Sequence, residues 1–466
     1  MLITDACLRG ATRTAIRIDG ERIAAVSPDL HPQRGEEVFD AAGAAVLPGL
    51  HDHHLHLLAY AAAIDSVCCG PPRVRDAGEL ADALVAHAAQ AGEGWIRGVG
   101  YHESVAGDID RAWLDRLVPG RPVRIQHRSG QLWIFNSAGL RRLGVAEAAH
   151  ADDPFERRDG GPTGRLYGAD GWLRARLGGA MPGLREASLR LARLGITGIT
   201  DAGPDNALAE FRHFARERDR GHLLQDVLMM GSSALDPSWN RAGLTVGATK
   251  IHLRESALPD FDAMCTRIAR SHEAGRPVAV HCVTLAELMF ALGALQAAGL
   301  RSGDRLEHVS LASPEAVAMV RDAGVHVVTQ PHFLYERGDA YLAALSPREI
   351  ADLYRARSFV AAGVPLGAGS DAPYGDPDPW RALDAALRRT SRAGHVLGAG
   401  EALDPAAALR LFGSHPLRPG GACRPLAAGA VADLCVLDRA WDSVFEDPAS
   451  VRVRLTMGGG RVLHAA

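Results

Sequence analysis

The chain has 466 residues, 47% hydrophobic and 23% charged, a composition usual for a well-cored globular protein of two to three domains' length. A formal net charge of -4 without any arginine run excludes an electrostatic case for nucleic acid or an anionic membrane surface. No apolar stretch reaches the roughly 20 residues that span a bilayer, the N-terminus lacks a signal-peptide core, and seven cysteines without a CxxC pair argue against a disulfide framework or a zinc ribbon.

A reduced, cytoplasmic protein is therefore expected. In chain order, the first fifty residues read as short β-strands, at 15–18 and 22–27, joined by an Asp19-Gly20 hairpin turn. Strands with helical segments between them follow at 50–56, 195–201, 223–230, 248–253, 277–283, 305–309, 325–330 and 365–371. The clearest helices are 261–273, 285–298 and 314–323. Eight strands with helical crossovers predict an α/β protein with a parallel (β/α)8 barrel over residues 50–419. Residues of about 70–190 form an insertion after the first barrel strand, with strands of its own at 95–100 and 123–127. The last forty residues return to β-structure at 432–437 and 451–462, the latter broken by Gly458, Gly459 and Gly460. Residues 1–49 and 420–466 are thus expected to build one small sheet domain from both termini.

Barrel enzymes carry their chemistry at the carboxyl ends of the strands. The first strand runs into His54-Leu55-His56, and residues two apart on a strand point the same way, so both imidazoles can grip one ion. The fourth strand carries Lys250, the fifth His281, the sixth His308 and the eighth Asp371. Of 51 basic residues, Lys250 is the only lysine. A guanidinium cannot act as a neutral amine or accept CO2, whereas an ε-amine can. Each group alone has an ordinary explanation: a core histidine, a helix cap, an unreplaced surface lysine. Their succession on five strands is what points to metal chemistry, since imidazoles and carboxylates suit zinc and its neighbours.

This order resembles the binuclear amidohydrolase superfamily. The segment Pro48-Gly49-Leu50-His51-Asp52-His53-His54-Leu55-His56 is similar to its opening PGxxDxHxH motif. Gly94-Trp95-Ile96-Arg97-Gly98, Asn136-Ser137-Ala138, Ser370-Asp371-Ala372-Pro373 and Ala432-Asp433-Leu434 resemble the amidohydrolase 3 branch of YtcJ-like and formamide-deformylase-like hydrolases. The resemblance implies a distorted TIM-type barrel with a small β-sandwich. It also implies two divalent ions, zinc foremost, with His54, His56 and Asp371 on one, His281 and His308 on the other, and N6-carboxylated Lys250 bridging them. Asp371 would serve as general base in the hydrolysis of a non-peptide amide, formamide or imide-like bond. Because related barrel deaminases generally use one ion without a bridging lysine, Lys250 favours amide hydrolysis over deamination.

His332, at the end of the seventh strand, and His102, Gln131 and Trp133, in the insertion expected to roof the barrel mouth, are candidate substrate contacts. Two departures from the branch bear on substrate: Lys250 is followed by Ile251-His252-Leu253, and Ser129-Gly130-Gln131 stands where relatives often have Ser-Gly-His. A small-molecule substrate is expected, with a symmetric homodimer as the default assembly. Two other readings stay open, a Schiff-base aldolase or lyase using Lys250 and a non-catalytic binding barrel.

Overall fold

Strands from both ends of the chain pair into a single sheet. In a computed structural model, which describes residues 1–9, 13–90, 94–147, 153–178 and 181–466, the order runs Arg461–Ala465, Val453–Gly458, Leu434–Leu437, Ala45–Pro48, Leu2–Leu8, Arg13–Asp19, Arg22–Ser27. Val38–Asp40 pairs separately with Leu2–Leu8. Side chains on a strand alternate between its faces. Ile16 and Ile18, Leu434 and Val436, and Leu455 and Met457 accordingly point inward together, and they meet Ile3, Ile23 and Val46 in one core. The sheet folds over this core as a small β-sandwich built from both termini.

The second eight-stranded sheet is parallel throughout and forms the barrel. Its strands, in order, are Leu50–Leu55, Ile196–Asp201, Asp226–Gly231, Leu244–His252, Val278–Cys282, Arg305–His308, His326–Thr329 and Leu366–Ala368. Every residue of Leu50–Leu55, Ile196–Asp201 and Arg305–His308 is buried, as expected where helices cover one face and the barrel interior the other. The barrel is distorted. Its register shifts between the first and second strands and between the third and fourth. Past the last strand, Asp371 N–H donates to His54 O at 2.7 Å and His56 N–H to Ala372 O at 2.9 Å, which draws the last strand's exit against the first. The eighth strand stops three residues short of the expected 371 because Gly369 and the positive φ of Asp371 (53°) take the chain out of extended conformation.

The three helices expected at 261–273, 285–298 and 314–323 are Phe261–Glu273, Leu285–Ala298 and Pro314–Ala323. Each begins on a side-chain cap, from Asp260, Thr284 and Ser313 respectively, so an otherwise orphaned backbone N–H is satisfied at each start.

Residues 58–182 form a second compact unit, the first comprising 1–57 and 183–466. Its six-stranded sheet runs Phe155–Arg158, Gly161–Tyr167, Leu132–Phe135, Val123–His127, Ile96–Tyr101, Val67–Cys68, the last three parallel and the others antiparallel. Sequence reasoning named only the strands at 95–100 and 123–127. The hairpin 155–167 escaped it because Glu156, Arg157 and Arg158 break the apolar alternation of an edge strand. All seven cysteines are free. Among the described residues no helix is long and apolar enough to cross a membrane.

Candidate metal centre

His54 is buried near the end of the first barrel strand, and His56 follows just beyond it. The Nε2 atoms of both face one carboxylate oxygen of Asp371, at 3.5 and 3.2 Å. These three side chains bring their ligand atoms together. The approach needs a glycine: a Cβ at Gly369 would collide with the backbone nitrogen of His54. Asp52, from the same motif, closes the seam. Its Oδ1 accepts from the His54 and Ser370 N–H groups at 3.0 Å each. Burial pushes the Asp52 carboxyl up to about 6.

Lys250, His281 and His308 face the same interior. His308 carries a positive φ of 69° that turns its ring inward, 4.4 Å from the His281 ring and 4.8 Å from that of His54. Strained backbone of this kind clusters at functional sites. Lys250 is only 2% exposed, and burial pulls its ammonium down to about 8. Burial also holds His281 and His308 below the usual imidazole range, with neighbouring positive charge acting in the same direction, and a neutral imidazole is the ligand-competent form. Asp371 moves the other way. Burial raises its pKa, yet the neighbouring His54, His56 and His308 imidazoles outweigh it and keep the carboxyl well below the carboxylate range.

Glu307 carries a role that the reading of strand ends did not assign. Its carboxylate accepts from His54 Nδ1–H at 2.5 Å and from Arg305 Nε–H at 2.5 Å, and it lies 3.9 Å from Lys250 Nζ. With Nδ1–H committed to Glu307, the Nε2 lone pair of His54 is aimed at the site. His54 Nε2 and Lys250 Nζ are buried without a hydrogen-bond partner. Buried polar atoms normally have one. His54, His56 and Asp371 thus gather imidazole and carboxylate atoms of the kinds a divalent ion takes, so these residues fit the group.

Residues 37–464 match the Amidohydrolase family. The chain belongs to that family. It is 26% identical to N-substituted formamide deformylase of Arthrobacter pascens over an alignment covering 92% of this chain and 91% of that protein. It is 22% identical to the putative amidohydrolase YtcJ of Bacillus subtilis, covering 76% and 75% respectively. Among solved structures, an uncharacterized metal-dependent hydrolase from Pyrococcus furiosus superposes with a TM-score of 0.71 at 19% identity, covering 94% of this chain and 98% of that one. Family membership makes the chain a hydrolase of carbon–nitrogen bonds other than peptide bonds.

The other expected contacts of this amidohydrolase have the following neighbours. His332 is fully buried, its Nε2 3.0 Å from Ser370 O and its ring against Phe333. There it braces the loop that carries Asp371. His252 is exposed and stacks on His281 at 4.2 Å. His102, Gln131 and Trp133 belong to the 58–182 unit. Trp133 is buried with Phe135, Leu140, Phe155 and Leu166. The Arg97 and Arg124 guanidiniums lie over its ring. Gln131 accepts from Gly168 N–H at 2.8 Å through its backbone carbonyl, tying two strands at their ends.

Proposed function

We propose that this chain is a metal-dependent amidohydrolase cleaving a small non-peptide amide, formamide or imide-like substrate into a carboxylate and an amine or, from an imide, an amide. His54, His56 and Asp371 would hold one divalent ion, zinc foremost, and His281 and His308 a second. Lys250, once its amine adds to CO2 and loses a proton, would offer a carboxylate to both. Ions held there lower the pKa of a water and polarise a carbonyl. Asp371 takes the proton of the attacking water on its carboxylate and hands it to the leaving nitrogen. Glu307 keeps the His54 Nδ1 proton in place and thereby fixes the direction of its Nε2. His281 and His308, neutral through burial, present lone pairs without first losing a proton.

The observation that carries this reading is the sole lysine, buried at the barrel interior within reach of Glu307 and with no hydrogen-bond partner for its Nζ. A Schiff-base lyase would use Lys250 but leave the His and Asp set idle. The formamide deformylase relative favours a formamide among the possible amides. The test is Lys250→Arg. The variant is expected to fold, to lose bound metal and to lose hydrolysis of N-substituted formamides. An arginine variant that is active and carries the wild-type complement of metal would overturn the carboxylated-lysine reading.

A further inference from the structure

A second set of metal-competent side chains lies wholly inside the 58–182 unit. The strands Ile96–Tyr101 and Val123–His127 are parallel neighbours, with Tyr101 opposite His127. Arg128 N–H donates to Tyr101 O at 2.8 Å, carrying the pairing one step beyond the strands. His102 and His127 therefore emerge side by side at the carboxyl ends of adjacent parallel strands, where α/β sheets commonly place ligands. Their rings lie 5.9 Å apart and inclined by 26°. The Nε2 atoms face a single oxygen, Glu103 Oε2, at 3.6 Å from His102 and 3.2 Å from His127. All three ligand atoms fall within 4.8 Å of one another.

The opposite edge of each ring is equally organised. His102 Nδ1 lies 2.8 Å from Ser104 Oγ, and His127 Nδ1 lies 2.7 Å from Ser129 Oγ. Each serine stands two residues after its histidine, and its backbone N–H also reaches Nδ1, at 3.2 and 3.1 Å. The amide contacts make Nδ1 an acceptor on both rings and so place the proton on Nε2 in the metal-free state. With the proton on Nε2, His127 donates to Glu103, His102 Nε2–H lies 3.6 Å from the same oxygen, and the serine amides donate to Nδ1. With the proton on Nδ1, the serine hydroxyls can accept it in exchange for the serine amide contacts, and both Nε2 lone pairs face the carboxylate. The second state is a His2Glu ligand set with outer-shell partners in place. His127 is largely buried whereas Glu103 is 51% exposed, which leaves the solvent side open for a water or an exchangeable ligand.

We propose that His102, Glu103 and His127, all within the 58–182 unit, form a divalent transition-metal site of zinc or cobalt type. Binding would move each ring's proton from Nε2 to Nδ1, where the serine hydroxyl takes it in place of the amide contact. Nothing in it depends on the reaction assigned to the barrel. The test uses the full chain, equilibrated with Zn2+, dialysed against metal-free buffer and analysed for metal per chain. Glu103→Gln keeps both rings and an amide oxygen that accepts from Nε2–H, while removing the anionic ligand. His127→Ala removes a ligand outright, and circular dichroism confirms that each variant is folded. Both variants are expected to hold one ion fewer than the wild type, and Ser129→Ala to weaken this ion's binding by roughly tenfold. Cobalt substitution should show a visible band lost in Glu103→Gln. Equal metal content in wild type and Glu103→Gln, with the cobalt spectrum unchanged, would overturn the proposal and leave a carboxylate shared by two imidazoles.

Discussion

Glu307 and Asp371 show how single side chains divide the work at the centre. Glu307 is fully buried and holds Arg305 on one oxygen and His54 on the other. Its charge offsets Arg305, and its geometry sets the His54 tautomer. Glu307→Gln is expected to weaken metal binding by roughly 10- to 100-fold, the usual cost of losing a hydrogen-bond partner behind a ligand. Competition with a chelator measures this, and wild-type affinity in the variant would remove Glu307 from a positioning role. Asp371→Asn should leave the melting temperature nearly unchanged and lower turnover by about 10^2- to 10^4-fold, the range for a positioned proton carrier. Near-normal turnover would show that another group moves the proton. The two differ in how well they could be read in advance. Asp371 follows a glycine-containing strand and stands in an order of metal-competent side chains along the barrel strands. Glu307 sits beside His308 in plain view, but an acidic residue on a short strand reads equally well as an edge or a cap. Its role depends on His54, 253 residues away.

At the scale of elements, caps explain why some boundaries were legible. Thr284 and Glu287 bond reciprocally, the hydroxyl accepting from Glu287 N–H and the carboxylate from Thr284 N–H. The same carboxylate accepts from Val283 N–H at 2.7 Å and Glu255 N–H at 2.8 Å, so this helix start also anchors the loop that follows the fourth barrel strand. Thr284→Ala is expected to cost about 1 kcal/mol, read as a lowered urea midpoint at unchanged slope. An unchanged midpoint would mean that Glu287 alone secures the helix start. Strand ends were less legible. His308 and Asp371 adopt positive φ without being glycine, and no local propensity announces it. Both conformations are imposed by tertiary contacts: Val309 N–H reaches Cys282 O, and Asp371 N–H reaches His54 O.

Over the whole molecule, the sandwich ties the two ends of the chain to one core. Leu434–Leu437 is the strand that pairs with Ala45–Pro48, and its loss would uncover Ile16, Ile23 and Val46. A chain truncated after Asp433 is therefore expected to lose cooperative unfolding or to aggregate. A truncated chain that melts as sharply, and at the same temperature, as the full-length protein would show that this sheet is dispensable. Small hydrophobic domains rarely survive the loss of several strands, because surface burial scales poorly at small size.

The sequence by itself determined the parallel barrel, the return of the C-terminus to an N-terminal sheet, three helices to the residue and the order of metal-competent groups along the strands. Those features are written in local signals: period-two alternation, caps, turns and a lone lysine among arginines. Only the tertiary structure decided which lone pairs face one another. The pairing of His54 with Glu307, the inward turn of His308 and the meeting of His102, Glu103 and His127 all require parallel strands in one particular register. Register is set by burial over the whole sheet, and a slip of one residue would send each of these side chains to the opposite face.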